Sequence, residues 1–170
     1  MEQKRLTTGA LLNRIFACGD FHSFVRENRD ALCVPSFQAQ VAAYLTTKGM
    51  TKERLIEKSG IERVYGYQLL SGARAPGRDK VVQLCIGLGL NVEESQHLLM
   101  AARRPALYPR IERDAALLYA LRRGYDMFQT QELLHERGAT LLGKGAKHDG
   151  FYRRVSRRFA GKIRAVGAAF

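Results

Sequence analysis

The most informative stretch of the chain, residues 50–76, reads Met50-Thr-Lys-Glu-Arg-Leu-Ile-Glu-Lys-Ser-Gly60-Ile61-Glu-Arg-Val-Tyr-Gly-Tyr-Gln-Leu-Leu-Ser71-Gly72-Ala-Arg74-Ala-Pro76. Thr51 can cap a first helix, and Gly60 can adopt the left-handed conformation that ends it. A second helix follows over residues 62–70, and Pro76 prevents its continuation. The stretch therefore predicts two short helices joined by a tight turn.

A further helix is expected to start near Arg78, because its apolar residues fall at i, i+3, i+4 and i+7: Val81, Leu84, Cys85 and Leu88. From Phe37 to Ala102 the chain resembles the lambda-repressor/Cro-like (Xre-type) helix-turn-helix regulators. The resemblance rests on three pieces in order: Gly60-Ile61, Gly72-x-Arg74-x-Pro76 and Val81-x-x-Leu84-Cys85-x-x-Leu88-Gly89-Leu90. It implies a sequence-specific DNA-binding transcriptional regulator, a repressor that binds double-stranded DNA as a homodimer. Its expected location is the bacterial cytoplasm, in association with the nucleoid.

The resemblance also implies roles for individual side chains of the helix pair. The outward positions of the second helix would face the major groove and read bases: Arg63, Val64, Tyr67 and Gln68. Arg63 suits guanine, Gln68 suits adenine, and Val64 suits a thymine methyl group. Four other residues would hold phosphates and set the register on DNA: Thr51, Lys52, Tyr65 and Arg74.

Two residues of the second helix depart from the family pattern. Gly66 stands where the family usually buries Ile or Leu, and a helical Gly costs ~1 kcal/mol against Ala. It either lets the two helices approach closely or marks a scaffold that no longer reads bases. Glu62 stands where a Ser or Thr cap is commoner.

The charge is concentrated near the end of the chain. The net charge is +12, and residues 143–170 contribute eight Lys or Arg against one acid. An apolar stripe recurs there every four residues: Phe151, Val155, Phe159 and Ile163. Such a basic amphipathic tail can hold DNA phosphates, dock on the protein itself or lie on an anionic membrane, and the neighbouring helix pair favours DNA.

Four arginines of this tail are the expected phosphate contacts: Arg153, Arg154, Arg157 and Arg158. Ser156 follows the run Arg153-Arg154-Val155, a pattern that basic-directed kinases modify, so it is a candidate phosphorylation site. A phosphate there would add a charge of ~−2 and weaken anion binding.

A sequence repeat with an offset of 35 residues follows the helix pair. Arg78-Asp79 recurs as Arg113-Asp114, Gly89 as Gly124, Gln96 as Gln131, and Leu98-Leu99 as Leu133-Leu134. Capping-box patterns recur as well, at Asn91-x-x-Glu94 and Asp126-x-x-Gln129. The repeat predicts two stacked helical hairpins over residues 78–103 and 113–138. It is either a plain structural duplication or a groove for a protein partner. The second interpretation gives the alternative function, a helical protein-binding adaptor with vestigial or non-specific DNA binding.

The expected fold class is all-α, because no segment shows sustained period-two alternation. Four regions are expected: an N-terminal helical pair over 1–35, the helix-turn-helix domain over 36–103, the second hairpin over 104–142 and the tail over 143–170. The helical pair comprises Leu6–Phe16 and Phe21–Ala31, with apolar faces supplied by Leu12, Ile15, Phe16, Phe21, Phe24 and Val25.

The sequence contains no recognisable catalytic motif. The four histidines are scattered, and neither metal-ligand spacing nor a nucleophile motif is present: His22, His97, His135 and His148. We therefore expect a non-enzyme without catalytic residues, metal or cofactor. Cys18, Cys33 and Cys85 are expected to be reduced, with Cys85 in the core. No apolar run approaches the ~20 residues of a membrane-spanning helix.

Overall fold

The computed structural model describes residues 8–143, and every regular element within them is a helix. In chain order these helices are α1 (Thr8–Ala17), α2 (Phe21–Glu27), α3 (Phe37–Thr47), α4 (Lys52–Lys58), α5 (Arg63–Ser71), α6 (Arg78–Leu88), α7 (Val92–Ala101), α8 (Glu112–Arg123) and α9 (Met127–Glu136). The predicted all-α class is confirmed for the described residues. The chain forms two compact units, one ending at Pro35 and the other beginning at Ser36.

The first unit contains the helices α1 and α2. Asp20 caps α2 by accepting hydrogen bonds from the amides of His22 and Ser23 at 3.2 and 2.9 Å. The prediction that α2 reaches Ala31 was wrong. It ends at Glu27, because the amide side chain of Asn28 donates to the Phe24 carbonyl and caps the final turn.

The apolar faces predicted for α1 and α2 are also corrected. Phe24 is buried, as expected of a core residue. Four of the other predicted face residues are exposed: Leu12, Phe16, Phe21 and Val25. A stripe of apolar residues on a short helix shows which side is hydrophobic, but it does not ensure that another element covers that side.

Helix α6 is the centre of the second unit. It packs against α4, α7 and α9, and every residue from Val81 to Leu88 is buried. Cys85 is fully buried among them, and this burial raises the pKa of its thiol to about 12. The prediction of Cys85 as a core residue is therefore confirmed. Helix α3 packs on α5 and α7, so α3–α7 form one continuous bundle.

The two hairpins α6–α7 and α8–α9 have the same internal hydrogen bonds. Both predicted capping boxes are formed, at the N-termini of α7 and α9. The side chain of Gln96 bonds both the amide and the carbonyl of Leu107, and Gln131 does the same with Leu142. The offset of 35 residues in the sequence is therefore an offset between structurally equivalent positions.

The two hairpins are joined reciprocally. Arg78 donates to both carboxylate oxygens of Asp114 at 2.9 and 2.6 Å, while Arg113 donates to both oxygens of Asp79 at 3.0 and 2.9 Å. In the same way α7 packs on α8, and α6 packs on α9. Such exchange is characteristic of units related by a two-fold rotation. In a solenoid each repeat contacts the next through two different surfaces, so the array can continue. These two hairpins contact each other through the same surface, and we call them a closed pair because a third hairpin could not be added in the same way.

Candidate nucleic-acid interface

Local capping fixes where α4 and α5 begin and how they are joined. The Thr51 hydroxyl accepts a hydrogen bond from the Arg54 amide at 3.2 Å and caps α4, as predicted. Gly60 has a φ of +61°, a left-handed conformation that ends the turn, and Ile61 then enters the core. The Glu62 carboxylate accepts hydrogen bonds from the first amides of α5. Glu62 therefore supplies the cap that Ser or Thr more often provides.

Gly66 lies where α5 meets α4. A Cβ atom on Gly66 would lie 2.8 and 2.9 Å from the two γ-carbons of Ile56. These distances are too short for real carbon contacts, so the absence of a side chain lets the helices approach. This geometry favours the first interpretation of Gly66, close packing of the two helices.

A second close contact holds α4 on the central helix α6. A Cβ atom on Gly87 would lie 2.2 Å from the Ser59 hydroxyl oxygen and 3.0 Å from the Ser59 backbone nitrogen. The Ser59 hydroxyl donates to the Leu55 carbonyl at 2.7 Å, and the amide of Gln83 donates to the Ser59 carbonyl at 3.1 Å. The end of α4 is therefore held on α6 in two ways: Gln83 forms a hydrogen bond to the backbone of Ser59, and Gly87, which has no side chain, lets Ser59 lie close to the α6 backbone. Sequence reasoning missed this role of Gly87.

The four predicted base readers are brought together on the outer side of α5. Arg63 and Val64 are exposed, and 62% of the Val64 surface is accessible. Tyr67 and Gln68 are half-buried. Lys52, a predicted phosphate ligand, lines an open cavity of about 360 Å³ with Val64, Tyr67, Gln68, Leu70 and Ser71. The N-terminus of α4 therefore borders the outer side of α5.

A carboxylate lies within this surface. The Tyr67 hydroxyl donates to Glu53 at 2.5 Å, which lowers the pKa of Glu53 and raises the pKa of Tyr67. The nearby guanidinium of Arg63 acts in the direction of a lower pKa on both groups. The sequence placed Glu53 in the first turn of α4 but gave no signal of this bond, because α5 brings its partner from 14 residues away.

Two more predicted phosphate ligands, Tyr65 in the first turn of α5 and Arg74 after its end, contact each other. The Arg74 guanidinium lies over the Tyr65 ring at 5.6 Å from its centroid, and the Lys80 ammonium lies 6.0 Å from the same centroid. Burial lowers the pKa of Lys80. A cation can be held on an aromatic face in this way without losing its charge. Sequence reasoning predicted Tyr65 and Arg74 but missed Lys80.

The predicted phosphate contacts and the predicted phosphorylation site of the tail are not among the described residues. Arg153, Arg154, Arg157, Arg158 and Ser156 lie outside the described residues. No helix between residues 8 and 143 is both long and apolar enough to cross a membrane.

Comparisons with protein-family models, with curated proteins and with solved structures found no match to this chain.

Proposed function

We propose that this protein is a sequence-specific DNA-binding transcriptional repressor of the lambda-repressor/Cro-like type. It binds double-stranded DNA as a homodimer, in the bacterial cytoplasm and on the nucleoid. The observation that carries the proposal is the outer side of α5, where Arg63, Val64, Tyr67 and Gln68 lie together on a helix whose other side is buried.

The arrangement around α5 supports this role. Helices α3–α7 are five consecutive helices within the region of resemblance, and within the α4–α5 pair α5 would enter the major groove while α4 crosses the DNA backbone. The close contacts at Gly66 and Gly87 fix α5 through α4 to the buried helix α6. A base-reading helix must be held rigidly, because hydrogen bonds to base edges tolerate little displacement.

The side chains on α5 match the chemistry of the major groove. Arg63 can donate two hydrogen bonds to guanine, and Gln68 can exchange two with adenine. Val64 is an exposed aliphatic residue that suits a thymine methyl group. Tyr67 is committed to Glu53, so its ring serves as packing surface beside the groove.

The carboxylates in this surface bear on specificity. Glu62 occupies the first amides of α5, and Glu53 lies beside Arg63. Both repel phosphates, so this surface gains little from an arbitrary duplex and depends on base contacts for net affinity. Non-specific attraction falls to Lys52, Arg74 and the basic tail.

Selection from a library of random duplexes tests this proposal. We expect the full chain to enrich a short motif repeated with two-fold symmetry, because one reading helix covers few base pairs and a dimer reads two half-sites. Enrichment without any sequence preference would contradict the proposal.

A second candidate function is a helical adaptor that binds a protein. It is favoured by the closed pair of hairpins, on which α8 and the residue before it present exposed aromatic and aliphatic side chains, Tyr119 and Ile111. In that case the full chain would capture a protein partner and bind duplexes weakly and without preference.

A further inference from the structure

Within residues 8–143, the pseudo-symmetry of the two hairpins leaves one face of α8 without a counterpart to α4. On the first hairpin, α6 meets α4 through Gln83 and Gly87, which contact Ser59. An offset of 35 residues places Leu118 and Arg122 at the equivalent positions of α8. The face of α8 that corresponds to the α4-covered face of α6 is therefore the one that carries Leu118 and Arg122.

This face of α8 carries a mostly apolar stripe, here called the α8 stripe, at helical spacing: Ile111, Ala115, Leu118, Tyr119 and Arg122. In the described part of the chain α8 packs on α7 and α9. Within the α8 stripe Ile111, Tyr119 and Arg122 are exposed, with Ile111 52% and Tyr119 46% accessible, whereas Ala115 and Leu118 are half-buried and Leu118 also contacts the core. The opposite side of α8 is filled by buried residues such as Leu117 and Leu121. Among the described residues, α8 therefore keeps exposed apolar side chains, Ile111 and Tyr119, on the side away from Leu117 and Leu121.

The charges at the ends of α8 define what fits on the α8 stripe. Its first turn carries the exposed acid Glu112, and its last turn carries the exposed bases Arg122 and Arg123. A second α8 laid antiparallel reverses this order and places Glu112 of each copy opposite Arg122 of the other. Opposite charges about ten residues apart on one helix lie ~15 Å apart along the axis, so both pairs form at once.

The same antiparallel register matches side-chain sizes. It places the small residue Ala115 opposite the large ring of Tyr119, twice, about the two-fold axis. The Tyr119 ring is already oriented by Tyr125, with centroids 5.9 Å apart at an interplanar angle of 87°, and by Arg123 over its face at 5.4 Å. A Tyr held in one orientation loses little conformational entropy when it enters an interface, and Tyr and Arg are among the residues most common at binding hot spots.

We infer that the α8 stripe is the homodimer surface of this protein, with a second copy of the chain bound through antiparallel α8 helices. A two-fold contact is self-complementary, which the charge order and the pairing of Ala115 with Tyr119 satisfy. This inference rests on the proposed function, because it identifies the surface through which the proposed homodimer forms. Its test uses no DNA, so its failure and the failure of DNA recognition are separate results.

The test is a charge exchange measured by sedimentation of the full chain. Glu112→Arg and Arg122→Glu each place like charges opposite one another twice in the dimer. We expect each variant alone to dimerise roughly ten-fold or more weakly than the native chain. When the two variants are mixed, every juxtaposed pair becomes attractive, so a heterodimer of near-native affinity is expected.

A matched control and a second variant complete the experiment. Glu93→Arg makes the same charge change at an exposed site in the first turn of α7 and should leave self-association unchanged. Tyr119→Ala should weaken the dimer, yet at concentrations low enough for both proteins to be monomeric it should melt at the same temperature as the native chain. The inference is overturned if the native chain is monomeric, if Glu112→Arg behaves as Glu93→Arg does, or if the mixture forms no heterodimer. It is also overturned if Tyr119→Ala lowers the melting temperature of a monomer, because residues 144–170 or another part of the chain would then cover the α8 stripe.

Discussion

Gly87→Ala tests whether contact between α4 and α6 supports the fold. The added Cβ atom would lie 2.2 Å from the Ser59 hydroxyl oxygen, which is held by its 2.7 Å hydrogen bond to the Leu55 carbonyl. Even if this hydroxyl rotated away, the Ser59 backbone nitrogen would remain at 3.0 Å. The end of α4 must therefore move away from α6.

The expected magnitude is the difference between two opposing effects. Overpacking a well-packed site costs ~1–3 kcal/mol, and more where the obstacle is backbone. Replacing a helical Gly with Ala regains ~1 kcal/mol through helix propensity. Because backbone is part of the obstacle at Gly87, we expect a net loss of ~2 kcal/mol in the free energy of unfolding.

The assay is urea unfolding of the variant, with Gly77→Ala as the matched control. Gly77 precedes the same helix, and a Cβ atom there would have no neighbour within 4 Å. Gly77 is the N-cap of α6, and replacing a Gly at this position with Ala should lower the free energy of unfolding by less than ~1 kcal/mol. Adding Ser59→Ala to Gly87→Ala should recover part of the loss by removing the 2.2 Å contact. A Gly87→Ala variant as stable as the native chain would refute the close approach of α4 and α6.

Three further predictions concern the hairpins and the tail. Leu99→Ala and Leu134→Ala should each cost ~2–5 kcal/mol in thermal melts, since both equivalent side chains are fully buried; a neutral Leu134→Ala would contradict their equivalence. Asp114→Asn should cost ~1–3 kcal/mol, because Arg78 loses its carboxylate but is partly exposed and keeps its hydrogen bonds to the carbonyls of Pro105 and Ala106. Burial alone would raise the pKa of Asp114, but hydrogen bonds from Arg78 and the Tyr108 amide lower it overall. The contribution of this ion pair to stability should therefore be complete above pH ~4 and fall as the pH drops through the lowered pKa. An acid titration of Asp114→Asn that retains this fall would contradict the assignment. Deleting residues 143–170 should flatten the plot of log K for DNA binding against log salt by ~0.9 in slope for each phosphate that the tail neutralises. The preferred DNA sequence should stay the same. An unchanged slope together with a lower melting temperature would mean that the tail stabilises the fold and does not bind DNA.

Local signals in the sequence were sufficient to predict most of the helix ends. The Thr51 cap and the two capping boxes depend on hydrogen bonds between residues three apart, so the residues that form them are visible in a short window. The Asn28 side chain shows where this approach fails. Its bond to the Phe24 carbonyl ends α2 early, although the residues that follow are compatible with a helix.

Contacts between distant segments were not predictable in the same way. The bond between Tyr67 and Glu53 depends on how α5 lies across α4, and the approach of Gly87 to Ser59 depends on packing between α6 and α4. The repeat revealed that two hairpins exist, but equivalent residues alone do not distinguish translation from rotation. The reciprocal bonds of Arg78 and Arg113 make that distinction, because each reaches the aspartate of the other hairpin.

The most direct test of base reading by α5 compares two substitutions on two kinds of DNA. The affinities of Arg63→Ala and Gln68→Ala are measured on the selected motif and on a random duplex at one salt concentration. We predict a loss of ~1–3 kcal/mol for each on the motif, relaxed preference at one base position, and almost no change on random DNA. Equal weakening on both duplexes would mean that these side chains contribute only charge or structure, and base reading by α5 would be contradicted.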